Sequence, residues 1–375
     1  MYLLREEEQI LFKYLQASEA LALIGPRRAG KTTLAKRLLR DWKEAGGAGE
    51  YFDLEEINAP SSATDLHSEI QKLPKKSLVV LDEVQVLDKW EKVVRSEIEN
   101  KKRKILVTGS SASLLSNEIA SSLAGRAIPQ TVFTLSYRDA KAWGIKSFDE
   151  YLMVGGYPEC VLRPTEAPKL HKLYLELTVL RDVAARCGIR EIKPLSDLAI
   201  ILLSEPGKCI SARKTTMKLG ISQPTFRSFV QALGDAFLIL SVPPYIRSPR
   251  ERLVADAKHY AYDIGLQSSV SISTEQDYGR KLENVVANEL VRKGYSLSYL
   301  SNKECECDFI AQKIGTGNLA IQVWSGDKTL PKRELDGLLL GMKIANAKGM
   351  VLSKTKLDLE LPVGVTTQTI EEWLS

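Results

Sequence analysis

The stretch Leu23-Ile24-Gly25-Pro26-Arg27-Arg28-Ala29-Gly30-Lys31-Thr32-Thr33 constrains this chain more than any other. It fits the pattern G-x-x-x-x-G-K-[ST], with an apolar, strand-like run before it and the helical text TLAKRLLRDW after it. Glycines let the backbone curl so that N–H groups point inward, and the start of the following helix adds its positive end. Such a cradle takes phosphate. Gly25, Pro26, Arg27, Arg28, Ala29, Gly30, Lys31, Thr32 and Thr33 are the residues expected to line it. Lys31 is placed to reach the β and γ phosphates and Thr32 to ligate Mg²⁺. A chance glycine-rich turn is the rival explanation, but here the motif and its strand-to-helix setting agree.

Around the loop, Leu21–Ile24, Glu50–Leu54, Leu78–Leu81, Ile105–Val107 and Ile128–Phe133 read as strands separated by helical patterns. That alternation predicts a parallel, three-layered α/β sheet. SLVVLDEVQ puts Asp82 and Glu83 directly after a buried strand, at the sheet edge where the phosphate loop lies. Asp82 is expected to hold Mg²⁺ through water and Glu83 to polarise an attacking water. A solvated strand end is the blander alternative.

The strand in KILVTGSSASLL ends in the short hydroxyls Thr108, Ser110 and Ser111, which could meet a γ phosphate or orient water. Thr108 is the expected sensor, while Ser110 and Ser111 could equally cap the next helix. Arg126, in LAGR just before the following strand, is held at a helix end. An arginine delivered to a neighbouring subunit's γ phosphate can contribute about 10³ to 10⁵ in rate. An ordinary surface arginine is the alternative.

At 375 residues the chain exceeds one core and predicts about two to four domains of roughly 100–200 residues each. Its composition, 44% hydrophobic and 26% charged, is that of a folded chain rather than a disordered one. The net charge of +5 permits nucleic-acid contact without demanding it. The opening MYLLREEEQI has no basic segment followed by an apolar run, and no apolar stretch approaches the roughly 18 residues of a membrane span. No membrane partner is expected, and the expected compartment is the cytoplasm. Cys160, Cys187, Cys209, Cys305 and Cys307 show no metal-knuckle spacing.

Four segments follow from this reading: residues 1–135 as a P-loop core, 136–194 as a helical lid, 195–270 as a helix-turn-helix with a β-ribbon, and 271–375 as a second α/β unit. The lid text is broken by Gly155-Gly156-Tyr157-Pro158, which no helix carries uninterrupted. In GISQPTFRSFVQALGDAFLI, Gly220 closes one helix and Ser222 caps the next, with Phe226, Phe229, Val230 and Leu233 inward. Ribbon strands are expected at Leu238–Val242 and Tyr260–Tyr262. Later strands are expected at Ser296–Leu300, Asp308–Ala311, Leu319–Val323 and Gly349–Leu352.

The motifs GPRRAGKTTL, YFDLEE, VVLDEVQ, TGSSASLL, LAGR, GGYPE and LRDV together resemble the archaeal and bacterial AAA+-type P-loop ATPases that carry an uncharacterised C-terminal domain. The resemblance spans nearly the whole chain. It implies ATP and Mg²⁺ as ligands, an ATPase activity, and a helical lid whose arginine, here Arg181 in LRDV, contacts nucleotide. A salt bridge inside the lid is the alternative for Arg181. It further implies a winged helix after the lid, whose second helix exposes Gln223, Thr225, Arg227 and Ser228. Arg213, Lys214, Lys218, Arg247, Arg250 and Arg252 could add phosphate contacts or simply be solvated. Duplex DNA, a protein partner, or further copies of the chain are the partners this pattern allows.

The last segment resembles, by the same family likeness, a restriction-endonuclease fold. Glu283 matches its helical acid and Asp308 its strand acid. Gln322 stands where that fold has a metal-binding glutamate, and Trp324 where it has a lysine. The expectation is therefore a vestigial nuclease site (Glu283, Asp308, Gln322), unless Lys328 or Lys332 reaches in. Three functions are in view: an ATPase driving conformational change, an ATP-gated DNA-binding regulator with little turnover, and an ATP-dependent nuclease.

Overall fold

The computed structural model describes residues 5, 8–100, 103–110, 123, 125–246, 248, 251, 255–270, 275–326, 328–358 and 360–375. Ser111, Arg247, Arg250 and Arg252 lie outside them. The chain divides into two units, Met1–Thr134 with Asp235–Phe237 and Leu135–Gly234 with Leu238–Ser375.

The first unit is a five-stranded parallel sheet of β1 (Ala20–Ile24), β2 (Gly49–Asp53), β3 (Leu78–Asp82), β4 (Lys104–Gly109) and β5 (Ala127–Thr131), in the order β2-β3-β4-β1-β5. Every residue of β1 and β3 is buried, so both faces of the sheet need cover. Successive side chains point to opposite faces, and they sort into two separate cores. Ala20, Ala22, Val79, Leu81, Ile105 and Val107 pack with α3 (Ala63–Gln71) and α4 (Trp90–Glu99). Leu21, Leu23, Leu78, Val80 and Leu106 pack with α1 (Glu8–Tyr14) and α2 (Lys31–Glu44). Each fully buried Leu, Ile or Val contributes about 1.5–3 kcal/mol, so the two layers fix the sheet and with it the loop ends. The parallel three-layer α/β unit expected from the sequence is present.

The second unit opens with α5 (Tyr137–Ala142), α6 (Phe148–Val154), α7 (Pro158–Leu162) and α8 (Ala167–Leu177), the last continuing into a π-helical stretch, Thr178–Ala185. The break at Gly155-Gly156 has a packing cause. A Cβ on Gly155 would lie 2.1 Å from Asp263 Oδ1, and one on Gly156 would lie 2.2 Å from the Leu135 carbonyl oxygen. Asp263 accepts the Gly156 N–H at 2.9 Å and the Gly265 N–H at 2.9 Å, which locks this turn.

Next come α9 (Ile192–Ser204), α10 (Ala212–Leu219), α11 (Gln223–Asp235) and an antiparallel ribbon of β6 (Ile239–Val242) and β7 (Lys258–Ala261). Gly220 ends α10 at φ 66, and the Ser222 hydroxyl accepts the Thr225 N–H at 3.2 Å. After α12 (Ile264–Val270) and α13 (Glu275–Arg292), a second sheet holds β8 (Ser296–Ser301), β9 (Glu306–Gln312), β10 (Asn318–Trp324), β11 (Ala347–Ser353) and β12 (Val365–Thr369). Its order is β12-β11-β10-β9-β8, antiparallel through β8, β9 and β10 and parallel through β10, β11 and β12. α14 (Lys332–Ala345) packs on it, and α15 (Ile370–Leu374) closes the chain.

Most strand bounds differ from expectation by one or two residues, and two of these shifts share a reason. β7 starts at Lys258 rather than Tyr260, and β9 at Glu306 rather than Asp308. Each extension begins with a charged residue, Lys258 and Glu306, and Lys258 is buried while pairing with Glu306. β12 and α15 had no counterpart in the expected strands.

Candidate functional site

The phosphate loop is shaped by three backbone positions with positive φ: Gly25 at 147°, Arg28 at 66° and Gly30 at 95°. Gly25 admits no side chain, because a Cβ would sit 2.1 Å from the Val132 carbonyl oxygen of the neighbouring strand end. Gly30 serves as the N-cap of α2 with no side chain capping it, which leaves the first N–H groups of the helix facing the loop. Ala29 is buried, Pro26 is buried, Arg27 is half-buried, and Arg28 and Thr33 are exposed. Lys31, 4% exposed, donates from Nζ to the Gly25 and Pro26 carbonyls at 2.9 Å each. A loop drawn against the neighbouring strand at Gly25, an open helix start and an ammonium within it fit a polyphosphate.

Asp82 ends β3 beside this loop, and both its oxygens are engaged. The Tyr51 hydroxyl donates to Oδ2 at 2.6 Å, and the Thr108 hydroxyl donates to Oδ1. Burial and the Asp82 carboxylate hold the Tyr51 phenol firmly protonated, so it remains a donor. Thr108, 1% exposed, also accepts the Glu83 N–H at 3.0 Å. Its hydroxyl thus fixes both acids relative to one another. Glu83 itself sits at φ 55 and ψ 53, a left-handed conformation that costs a non-glycine residue about 1–2 kcal/mol.

Burial raises the Glu83 carboxyl above its ordinary range, the Lys31 ammonium and a hydrogen bond from Gln85 pull it back, Asp82 raises it, and Arg27 lowers it. The same charges bring Lys31, Arg27, Asp82 and Glu83 into one field. A raised carboxylate near a phosphate cradle is a stronger proton acceptor than an ordinary one. Thr32, half-buried at the start of α2, and Asp82 are the oxygen donors beside the loop. Oxygen ligands of this kind, few and shared with phosphate, suit Mg²⁺.

Arg126 lies at the entry to β5 and pairs through Nη2 with Glu99 Oε1 at 3.1 Å, both side chains substantially exposed. Ser110 is buried. Arg181 is exposed on the π-helical stretch of the second unit, next to the buried Asp182.

Arg5 and Tyr51 were not read from the sequence. The Arg5 side chain, in a residue 7% exposed, donates to the Ala29 carbonyl at 2.5 Å and to the Phe133 carbonyl at 3.1 Å. Ala29 belongs to the phosphate loop. In a trans peptide the carbonyl and the next N–H point opposite ways, so a clamp on the Ala29 oxygen turns the Gly30 N–H toward the cradle. No local signal marks either residue, since the contact spans 24 positions for Arg5 and 31 for Tyr51.

In the second unit, α11 presents Gln223, Arg227 and Ser228 to solvent with Thr225 half-buried, while Phe226 and Phe229 are buried. Arg213, Lys214 and Lys218 are exposed on α10. Elsewhere in this unit Asp308, Glu283 and Gln322 come into one region. Asp308 Oδ2 accepts the Val323 N–H at 2.8 Å, Glu283 Oε2 accepts the Tyr260 hydroxyl at 3.2 Å, and Gln322 Nε2 donates to Glu334 at 2.6 Å. Among the described residues, no group of three His, Cys, Asp or Glu side chains is arranged to hold a metal ion. No described helix is long and apolar enough to cross a membrane.

Comparison with known proteins agrees with this geometry. A family model for an AAA domain matches residues 17–141, and a model for a domain of unknown function, DUF8612, matches residues 145–277. An uncharacterised protein of Haemophilus influenzae is 28% identical over 330 residues, covering 81% of this chain and 82% of the relative. The uncharacterised protein MJ1544 of Methanocaldococcus jannaschii is 30% identical over 345 residues, covering 84% of this chain and 76% of that protein. AMPPCP-bound DnaA from Aquifex aeolicus is similar in structure at 12% identity over 62% of this chain and 89% of that one, but its TM-score of 0.33 carries no argument. With a parallel P-loop sheet, an AAA-domain match and a relative of this extent, the chain belongs to the family of AAA-domain proteins that includes MJ1544.

Proposed function

We propose that the first unit binds Mg-ATP and hydrolyses it, and that turnover changes the posture of the second unit. The observation that carries the reading is the convergence of Lys31, Asp82 and Glu83 on a glycine-shaped loop at the start of α2. In this reading Lys31 leaves the Gly25 and Pro26 carbonyls to meet the β and γ phosphates, and the loop N–H groups bind the phosphate oxygens. Thr32 and Asp82 would hold Mg²⁺, whose charge would offset that developing on the phosphates. Glu83 takes a proton from the attacking water as its oxygen bonds to the γ phosphorus and the bond from that phosphorus to the β–γ bridging oxygen breaks, releasing ADP and inorganic phosphate. Thr108 keeps Asp82 and Glu83 aligned, and a sensing role toward the γ phosphate is added to that one. Arg126 leaves Glu99 to complete a neighbouring subunit's site, and Arg181 of the helical segment contacts nucleotide.

The domain assignment behind this reading is a P-loop core at 1–135, a lid at 136–194, a winged helix at 195–270 and a restriction-endonuclease-like domain at 271–375. The test is phosphate release by the full chain across a protein-concentration series. Lys31→Ala and Glu83→Gln are expected to abolish a slow turnover that rises with concentration. Wild-type turnover equal to that of either variant would sink the reading.

The exposed polar face of α11 and the basic side chains of α10 favour a second reading, a DNA-binding regulator gated by ATP occupancy. A salt-dependent shift on duplex DNA that differs between ATP and ADP is its expected signature. No binding at low salt removes it.

A further inference from the structure

The second unit contains a cluster of charges that the phosphate site does not use. Glu306 and Asp308 lie two residues apart on β9 and share a face, as do Lys258 and Tyr260 on β7. The Lys258 ammonium donates to Glu306 Oε1, the Tyr260 hydroxyl donates to Glu283 on α13, and the ammonium stands 5.3 Å from the centroid of the Tyr299 ring. Lys258 is 2% exposed and Asp308 6%. Burial alone would drive the ammonium to lose its proton, but the carboxyls of Glu283, Asp308 and Glu306 outweigh it and hold the lysine charged.

A restriction-endonuclease frame implies a divalent ion here, and the residues do not fit one. Asp308 spends an oxygen on the Val323 N–H, Glu283 one on Tyr260, and the Gln322 amide goes to Glu334. Gln322 Oε1 is buried without a hydrogen-bond partner, and among the described residues no group of three His, Cys, Asp or Glu side chains is arranged to hold a metal ion. The cluster is instead complementary to an ammonium, which has three donors and no acceptor, facing carboxylates and an aromatic ring.

We propose that Lys258 is the resident cation of this cluster: its ammonium, carried in on β7, pairs with Glu306 and offsets part of the negative charge of Glu283 and Asp308 in place of a metal ion, and makes the centre a metal-free structural site. The same contact ties the ribbon to the C-terminal sheet. Other bonds run along that seam: the Asn284 side chain brackets the Ala261 peptide at 2.8 and 2.7 Å, and Tyr245 and Tyr299 are joined through their backbones at 2.6 Å. Removing the cation from such a seam leaves the buried Asp308 and the half-buried Glu283 and Glu306 without compensation, which is more costly than losing an exposed pair.

The test uses the full chain without nucleotide, melted in EDTA, Mg²⁺ and Mn²⁺. Wild type is expected to melt at one temperature in all three. Lys258→Met should melt lower by on the order of 10 °C. Adding Asp308→Asn or Glu283→Gln to Lys258→Met should recover most of that loss, because the uncompensated charge goes with it. If Lys258→Met alone does not fold, recovery of folded protein in the double variants gives the same answer. The proposal is overturned if Mn²⁺ raises the wild-type melting temperature and Asp308→Asn cancels the rise. It is equally overturned if Lys258→Met melts like wild type, or if the double variants are no better than the single one.

Discussion

Arg5→Ala removes a clamp on the phosphate loop without touching any group proposed to meet nucleotide. The lost guanidinium makes two bonds to main-chain oxygens, at 2.5 Å to Ala29 and 3.1 Å to Phe133. A hydrogen bond from a charged donor contributes about 1.5–3 kcal/mol net. The Phe133 bond anchors the arginine, and the Ala29 bond acts on the loop. If the Ala29 share is spent on holding the Gly30 N–H inward, its loss appears as about 10- to 150-fold weaker nucleotide binding. Titration calorimetry with ADP and with a non-hydrolysable ATP analogue measures this directly, with Arg5→Lys as the conservative control. Lysine can supply one donor but not the fork, so it should recover part of the affinity. The mechanism predicts a large rise in KM with a small change in kcat, since no reacting atom is touched. A lowered melting temperature with unchanged nucleotide affinity would refute it and reduce Arg5 to a structural tie.

Other outcomes follow from the same geometry. Tyr51→Phe deletes the donor to Asp82 Oδ2 and should raise the Mg²⁺ concentration for half-maximal turnover about 2- to 10-fold, with an unchanged requirement counting against Tyr51 as a positioning residue. Gly25→Ala forces a Cβ to within 2.1 Å of the Val132 carbonyl oxygen at a φ of 147°, so the loop must shift, at a cost of about 1–3 kcal/mol readable in nucleotide affinity and melting temperature. The Glu83 carboxyl, raised by burial above its ordinary value of 4.5, should give turnover a rising limb with pH that lies above that value. The sign for stability is opposite: the folded state holds this proton more tightly than the unfolded one, so Glu83's contribution is complete at low pH and is lost as pH rises through the raised pKa. Glu83→Gln should flatten that stability limb in a melting series.

What could be read from the sequence was whatever the backbone demands locally. Gly25 and Gly30 are needed where φ turns positive, Lys31 and Thr32 follow at fixed spacing, and β1, β3 and β4 appear as the continuous apolar runs of strands covered on both faces. Ser222 and Gly220 mark helix ends for similarly local reasons. α15 was readable too, since Thr369 and Glu372 form a capping box, with the Thr369 hydroxyl and the Glu372 carboxylate each accepting the other's N–H at 3.3 Å. β12 offered no such mark: it is mostly exposed and is held to β11 by backbone pairing, so no apolar alternation identifies it.

The harder omissions are all long-range electrostatic choices. The hydroxyl of Thr108 is visible in the sequence, but whether it turns to a γ phosphate or to Asp82 depends on a strand contributed 26 positions earlier. The same holds for the missing lysine near Trp324. Lys328 and Lys332 are the lysines near it in sequence, yet the ammonium that acts on Asp308 is that of Lys258, brought by β7 from the ribbon. A buried lysine has no periodicity to give it away. It is recognisable only once Glu306, Asp308 and Glu283 face it, because burying an ammonium with no carboxylate to offset it costs several kcal/mol. The cluster is therefore stable as a set, and its members are chosen by the fold rather than by their neighbours in sequence.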